Sequence, residues 1–446
     1  MFKRTGIFVG YSAYTLVLFI IALGAVETVF QLNDNIYKNF RYYLYDPPIY
    51  APSDKIPYKL RKNFEDIHTR RGDFTVTIRT NSQGLRENRT IEIPKPPNTF
   101  RIITMGDSFG FAYGVEREAS FQQIAEEVLN AEISGKNIEV INMGYASAYS
   151  PDAAWVYLRD EAFKYQPDAI IHVLTHTNDF GNVVQNIPFS KYDNDGLPLK
   201  VQYFPVVIDP ETGHRTGRFG FEIRRAQAHF FPEYFGRNKQ QNDWEMLFSY
   251  LRHGNWTSAL QKIRLYQVIN YFILMQQSKV GDIFNFNIGL VPQKRHRLGD
   301  EAFLRHGDAK NEYNPVGVRQ RGWVITKRIY KAMNRLAKQH SARFGVVLVP
   351  DRYMIEYDPA EGESSPMARW SSTAEMERAL KVNKPKQVIC GFLEKEDIAC
   401  LDPTEGMRQN KKEAFYFVYD AHWNAAGHGR VGELMAKWIL ENKWIK

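Results

Sequence analysis

Five short runs, spread over three hundred residues, are apolar enough to be buried on both faces. They are Arg101-Ile102-Ile103-Thr104-Met105, Ile138-Glu139-Val140-Ile141-Asn142, Ala169-Ile170-Ile171-His172-Val173-Leu174, Gly345-Val346-Val347-Leu348-Val349 and Ile398-Ala399-Cys400-Leu401. Segments of helical periodicity alternate with them, from about Ser120 to Asn130, Asp152 to Tyr165, Val318 to His340, 374 to 393, and Asn424 to Glu441. Strands that show little polar alternation and take turns with helices belong to a parallel sheet covered on both sides. The pattern predicts an α/β fold. At 446 residues, with 44% hydrophobic and 14% aromatic content, the chain has the apolar material for such a core and is neither a disordered tail nor a fibre.

The first thirty residues read differently. Lys3 and Arg4 precede an uncharged run from Gly6 to Val26, which Glu27 ends. A helix of that length just spans a bilayer core, and the basic pair keeps its N-terminus on the cytoplasmic side. Residues 1–30 are therefore read as a single-pass membrane anchor with the rest exported, a cleaved signal peptide being the alternative, since Ala22-Leu23-Gly24 offers a processing site. Residues 31–98 form a polar, aromatic juxtamembrane region. In it Phe74, Val76 and Ile78 alternate with Thr75, Thr77 and Arg79 as in a strand, and Asn81-Ser82-Gln83-Gly84 is a turn, so an accessory β element is expected. The main domain then covers 99–446.

Within it, residues 181–318 depart from the strand–helix rhythm and read as a large insertion. Turns are expected at Asp193-Asn194-Asp195-Gly196 and Asp209-Pro210-Glu211-Thr212-Gly213, and a helix from Thr257 to Gln277. Phe219, Phe221, Arg224, Arg225, Phe230, Phe231 and Tyr234 would suit a cap or groove for an anionic glycan, as well as a structural elaboration or a partner surface. The formal charge of +8 favours anionic partners, but the basic residues are scattered and no nucleic-acid motif is present, so no nucleic-acid partner is expected. The two cysteines, Cys390 and Cys400, suit a disulfide closing a short loop in an exported protein, two buried thiols being the alternative. Nothing in the sequence calls for a metal or cofactor.

The chemistry concentrates at loops after the strands. Gly106-Asp107-Ser108-Phe109-Gly110 follows the first strand. A serine becomes a nucleophile only beside a base and oxyanion donors, and a sharp strand-to-helix turn exposes both its hydroxyl and free backbone N–H groups. The pentapeptide also fits the elbow of α/β-hydrolases, but there the nucleophile follows several strands. Near the C-terminus, Asp420-Ala421-His422-Trp423-Asn424 puts a carboxylate two residues before a histidine, side by side if the segment is extended, with Asn424 as N-cap of the last helix. Asp420 would then orient His422 as base; His428, the competing base, falls inside that helix. Asn142-Met143-Gly144 and His176-Thr177-Asn178-Asp179 end the second and third strands, where Gly144 and Asn178 could donate to an oxyanion.

The ordered set Gly106-Asp107-Ser108, Gly144, Asn178 and Asp420-x-His422 resembles the SGNH, or GDSL-type, hydrolase superfamily over roughly residues 100–180 and 320–446. The resemblance implies a flavodoxin-like three-layer α/β/α fold. It also implies Ser108 as nucleophile, an oxyanion hole from Ser108, Gly144 and Asn178, and His422 as base oriented by Asp420. Two departures stand out. His176 replaces the usual glycine of the third block and is a candidate substrate contact, and Asp-x-x-His is shortened to Asp-x-His. The shorter spacing, with the Trp and Asn that follow, looks like membrane-linked relatives that O-acetylate exopolysaccharides. The expected function is that of an exported serine esterase or acyltransferase acting on O-acyl groups of an envelope glycan or a small acyl ester. For transfer, a multipass membrane acyltransferase would supply the acyl donor. A catalytically silent scaffold or glycan-binding protein is the alternative.

Overall fold

The computed structural model describes residues 2–32, most of 44–202, two short strands at 206–208 and 215–217, and most of 318–445. The helix expected over 257–277 and the aromatic and basic residues from Phe219 to Tyr234 lie outside the described residues.

Helix α1 (Phe2–Leu32) runs 31 residues. From Leu16 to Ile21 every side chain is apolar and exposed. Among the described residues no helix is long and apolar enough to cross a membrane; the side chains of residues 6–13, the first part of the expected span, lie outside the described ones. Strands β1 (Glu65–Arg70) and β2 (Phe74–Arg79) form an antiparallel hairpin. Phe74 and Ile78 face inward and Thr75 and Arg79 outward, as the alternation predicts.

The central sheet is built from β3 (Thr99–Gly106), β4 (Asn137–Asn142), β5 (Ala169–Leu174), β6 (Arg343–Leu348) and β7 (Ala399–Leu401), in the order β7-β6-β5-β3-β4, with every neighbouring pair parallel. Alternate residues feed two separate cores. Ile102, Val140, Ile171 and Val347 face one; Ile103, Ile141, Ile170 and Val346 face the other. After β3 comes the one-turn helix α2 (Ser108–Phe111), and α3 (Phe121–Glu132) follows. Further along lie α4 (Pro151–Asp160), α5 (Asp179–Asn186), α6 (Val318–Gln339) and α7 (Ala425–Glu441). Helices α3 and α7 pack on each other over the first core, and α4, α5 and α6 over the second. This is the three-layer α/β/α arrangement that the resemblance implies. Its strand order reverses at β3, which opens a crevice at the carboxyl ends of β3 and β5 where ligands bind in open α/β sheets.

Some expectations need correction, while the turn at Asp193–Gly196 and the Cys390–Cys400 disulfide are as expected. The segment over 181–318 does not leave the pattern at once: α5 continues to Asn186 and packs under α6. The helix read over 152–165 stops at Asp160 and is followed by a 3₁₀ turn, Ala162–Tyr165. The one read over 374–393 is broken into Thr373–Val382, a π-helical turn Lys386–Cys390, and Gly391–Lys395. Asn383, in the left-handed region at φ 38°, ends its first part, and Pro385 lacks the N–H that would carry it on. The turn at Asp193–Gly196 joins two antiparallel strands, Lys191–Tyr192 and Pro198–Lys200. The strands flanking Asp209–Gly213, Val206–Ile208 and Arg215–Gly217, also pair, though the turn itself lies outside the described residues. Cys390 and Cys400 form a disulfide, with Cα atoms 5.5 Å apart, that ties the π-turn to edge strand β7.

Candidate functional site

Ser108 opens α2 at the reversal point of the sheet. The turn that places it is packed too closely for side chains: a Cβ on Gly106 would stand 2.7 Å from the Val173 carbonyl oxygen. Asp107 caps α2, accepting from Phe109 N at 3.1 Å, from Thr175 Oγ1 at 2.9 Å and from Asn178 Nδ2 at 3.0 Å. One buried carboxylate thus ties the loop after β3 to the loop after β5. Burial raises the Asp107 carboxyl, and the Asn178 and Thr175 hydrogen bonds oppose that rise.

His422 Nε2 lies 2.6 Å from Ser108 Oγ. Its Nδ1 is hydrogen-bonded to Asp420 Oδ1, which also accepts the His422 backbone N–H at 2.9 Å. Asp420 and His422 are therefore brought together by a tight side-chain-to-backbone turn rather than by the extended segment the spacing suggested. The loop folds back on itself, with Phe417 N donating to His422 O (3.1 Å) and Asn424 N to Phe415 O (3.0 Å). Asn424 caps α7 by accepting from Gly427 N at 2.9 Å. Fully buried Trp423 anchors the loop against Phe109. The imidazole lies between Phe109 and Tyr113, at 4.8 and 4.5 Å between ring centroids. Burial alone would raise the Asp420 carboxyl, but the hydrogen bond and charge of His422 and the charge of Arg70 hold it well below the usual carboxylate range. His428 is elsewhere. It stacks on Phe121 inside the core, where burial pushes it down to about 3.

Two of the three donors expected for an oxyanion already hold partners. Ser108 N–H, at the first position of α2, is among the N-terminal groups that lack an intrahelical acceptor. Gly144 N–H donates to Asn142 Oδ1 at 2.9 Å, and Asn178 gives one amide hydrogen to Asp107. Gly144 also has a packing reason to be glycine, because a Cβ there would meet Gly110 C at 2.3 Å. His176 is buried, 3.7 Å from Asp351 Oδ2, and lines a small pocket with Asp351, Lys386 and Asp402 at the ends of β6 and β7.

Three residues that the sequence reading passed over come from the N-terminal region. Arg70, at the end of β1, donates through Nη1 to Asp420 Oδ2. Arg86, wholly buried beside Phe111, donates to the carbonyls of Phe111, Ala112 and Val115, at and just beyond the end of α2. Glu87 pairs with Arg117 and accepts Asn142 N at 2.6 Å, bracing the strand end that leads to Gly144. The β2 alternation located the hairpin but not these long side chains, whose partners are distant in sequence.

Neither a family model nor a curated protein matches the sequence. Among solved structures the chain is similar to a putative lipolytic protein of the G-D-S-L family from Desulfitobacterium hafniense DCB-2 (9% identity, TM-score 0.30, 76% of this chain and 98% of that one). It is also similar to an acetylxylan esterase from Geobacillus stearothermophilus (10%, 0.33, 78% and 96%) and to a lipase/acylhydrolase from Enterococcus faecalis (10%, 0.30, 77% and 96%). The chain's own geometry gives the class of site: a serine, a histidine and a carboxylate hydrogen-bonded in series at the carboxyl end of a parallel α/β sheet.

Proposed function

We propose that the chain is a membrane-anchored serine esterase or acyltransferase of the SGNH type, acting on O-acyl groups, acetyl above all, of an envelope polysaccharide. One observation carries the reading: the 2.6 Å contact between Ser108 Oγ and His422 Nε2, with Asp420 on the far side of the ring. In the reaction His422 takes the Ser108 proton as Oγ attacks the acyl carbonyl. The tetrahedral oxyanion is met by Ser108 N–H, the second amide hydrogen of Asn178, and Gly144 N–H once it leaves Asn142 Oδ1. His422 then passes the proton to the departing sugar oxygen, leaving acyl-Ser108. Water or an acceptor hydroxyl, deprotonated by His422, attacks next, and the proton returns to Oγ as the new acid or ester departs.

Export is supported by the Cys390–Cys400 disulfide, a bond typical of oxidising compartments, and anchoring by the apolar side chains exposed along α1. Full-length protein in detergent should release p-nitrophenol from p-nitrophenyl acetate and be labelled by a fluorophosphonate. Ser108→Ala should lower kcat by at least about 10⁴-fold and abolish labelling. Equal behaviour of wild type and Ser108→Ala would overturn the assignment. Adding an acceptor oligosaccharide separates the two chemistries: an acetylated oligosaccharide marks transfer, free acetate alone marks hydrolysis.

A further inference from the structure

The two oxygens of Asp420 are divided between partners. Oδ1 faces His422, taking both its backbone N–H and its ring Nδ1. Oδ2 takes the guanidinium of Arg70, which reaches it from the N-terminal hairpin, 350 residues away in sequence. Asp420 is 6% exposed at its side chain and Arg70 28%, so little water is at hand to solvate the carboxylate in the arginine's place. A carboxylate held at one oxygen only can tilt about its last torsion, which is broad. Held at both, it keeps the plane that directs Oδ1 at Nδ1.

The hairpin does not need Arg70 to stay in place. Phe74 packs on Phe417 and Tyr113, His68 on Tyr113, and Thr77 N donates to Glu116 Oε1 at 2.8 Å. An arginine serving only to staple an exposed strand would add little to stability and leave the chemistry alone. Here its Nε lies 3.7 Å from Asp73 Oδ2 in the same hairpin, while its Nη1 ends on the carboxylate that orients the base.

We propose that Arg70 is a positioning residue for the esterase reaction: by fixing the Asp420 carboxylate it holds His422 in the orientation that accepts the Ser108 proton, making the juxtamembrane hairpin part of the catalytic apparatus. This rests on the serine-esterase reading above. Misplacing a catalytic group by about 1 Å can cost on the order of 10²-fold in rate, and that is the loss in kcat expected for Arg70→Ala. KM should stay within about twofold, because the arginine acts on the base and not on the bound ester.

The test is made on full-length protein with p-nitrophenyl acetate, comparing wild type, Arg70→Ala and Arg70→Lys, with Phe74→Ala as a variant that weakens hairpin packing but keeps the guanidinium. Guanidinium at millimolar concentration should restore part of the lost kcat in Arg70→Ala and none in Phe74→Ala. Arg70→Lys should fall between wild type and Arg70→Ala, because a lysine keeps the charge without the planar fork. Unchanged kcat in Arg70→Ala, or a loss that guanidinium does not reverse, overturns the proposal. A second readout needs no turnover: the His422 Nδ1 proton, hydrogen-bonded to Asp420, should give a far-downfield proton NMR signal that shifts or broadens in Arg70→Ala. An unchanged signal overturns the positioning role even if wild type shows no Ser108-dependent turnover, an outcome that by itself removes only the esterase reading.

Discussion

In the parallel sheet the backbone does the placing. Ser108, Gly144 and Asn178 lie where they do because β3, β4 and β5 end side by side, and the strands are held there by their own ladders and two apolar cores. In the N-terminal region over 44–98 the side chains do it. Its strands form no part of the central sheet, yet Arg70, Arg86 and Glu87 extend from it to Asp420, to the carbonyls at and just beyond the end of α2 and to the end of β4. The sheet supplies a platform that many sequences could build. The N-terminal region supplies polar contacts that hold its loops in one arrangement.

Removing a contact on each side sharpens that contrast. The largest effect is expected for Arg86→Met, which takes the arginine's donors from three carbonyls and leaves Phe111 O with Asn142 Nδ2 at 3.2 Å. It should lower stability by roughly 3–4 kcal/mol, read as a shift of the urea midpoint at unchanged slope. A shift worth less than about 1 kcal/mol would reduce the region to an appendage and break the comparison.

On the sheet side, His428 should respond to pH. Its unfolded value is near 6.5, and burial first, then the charges of Arg86 and His422, bring it to about 3 in the fold. Between those values the unfolded chain binds the extra proton, so this group's contribution to stability is lost as pH falls from 6.5 toward 3. His428→Phe, which keeps a ring against Phe121, should flatten the decline by about 2–3 kcal/mol between pH 6.5 and pH 4. His172, brought to about 3 by burial in the same way, leaves a residual slope. If the two pH curves stay parallel, His428 is not the group responsible. The smallest effect belongs to Asn424→Ala, which removes the cap of α7 and should cost about 1 kcal/mol in the same unfolding measurement.

Most of the sheet was legible because its signals are local. Five apolar runs, their helical spacers and the Gly106-Asp107-Ser108 turn each declare themselves within a few residues. Asp420 and His422 could be paired from spacing alone, although a tight turn, not an extended strand, makes the contact. Arg70, Arg86 and Glu87 carried no such mark. A charged residue after a strand or in a turn reads as solvated surface, and only the folded chain shows that Arg86 is wholly buried. The sequence puts the Asn178 amide and the Gly144 N–H at strand ends, but the partners they hold, Asp107 and Asn142, depend on side-chain torsions that no spacing encodes.

The separations within the site also set an order of events as the chain is made. Ser108 meets His422 across 314 residues, and Arg70 meets Asp420 across 350. A chain that emerges from its N-terminus thus carries Ser108 without its His422 partner for most of its synthesis. Ser108, His422, Asp420 and Arg70 come together only when the segment around Asp420 docks between the hairpin and α2.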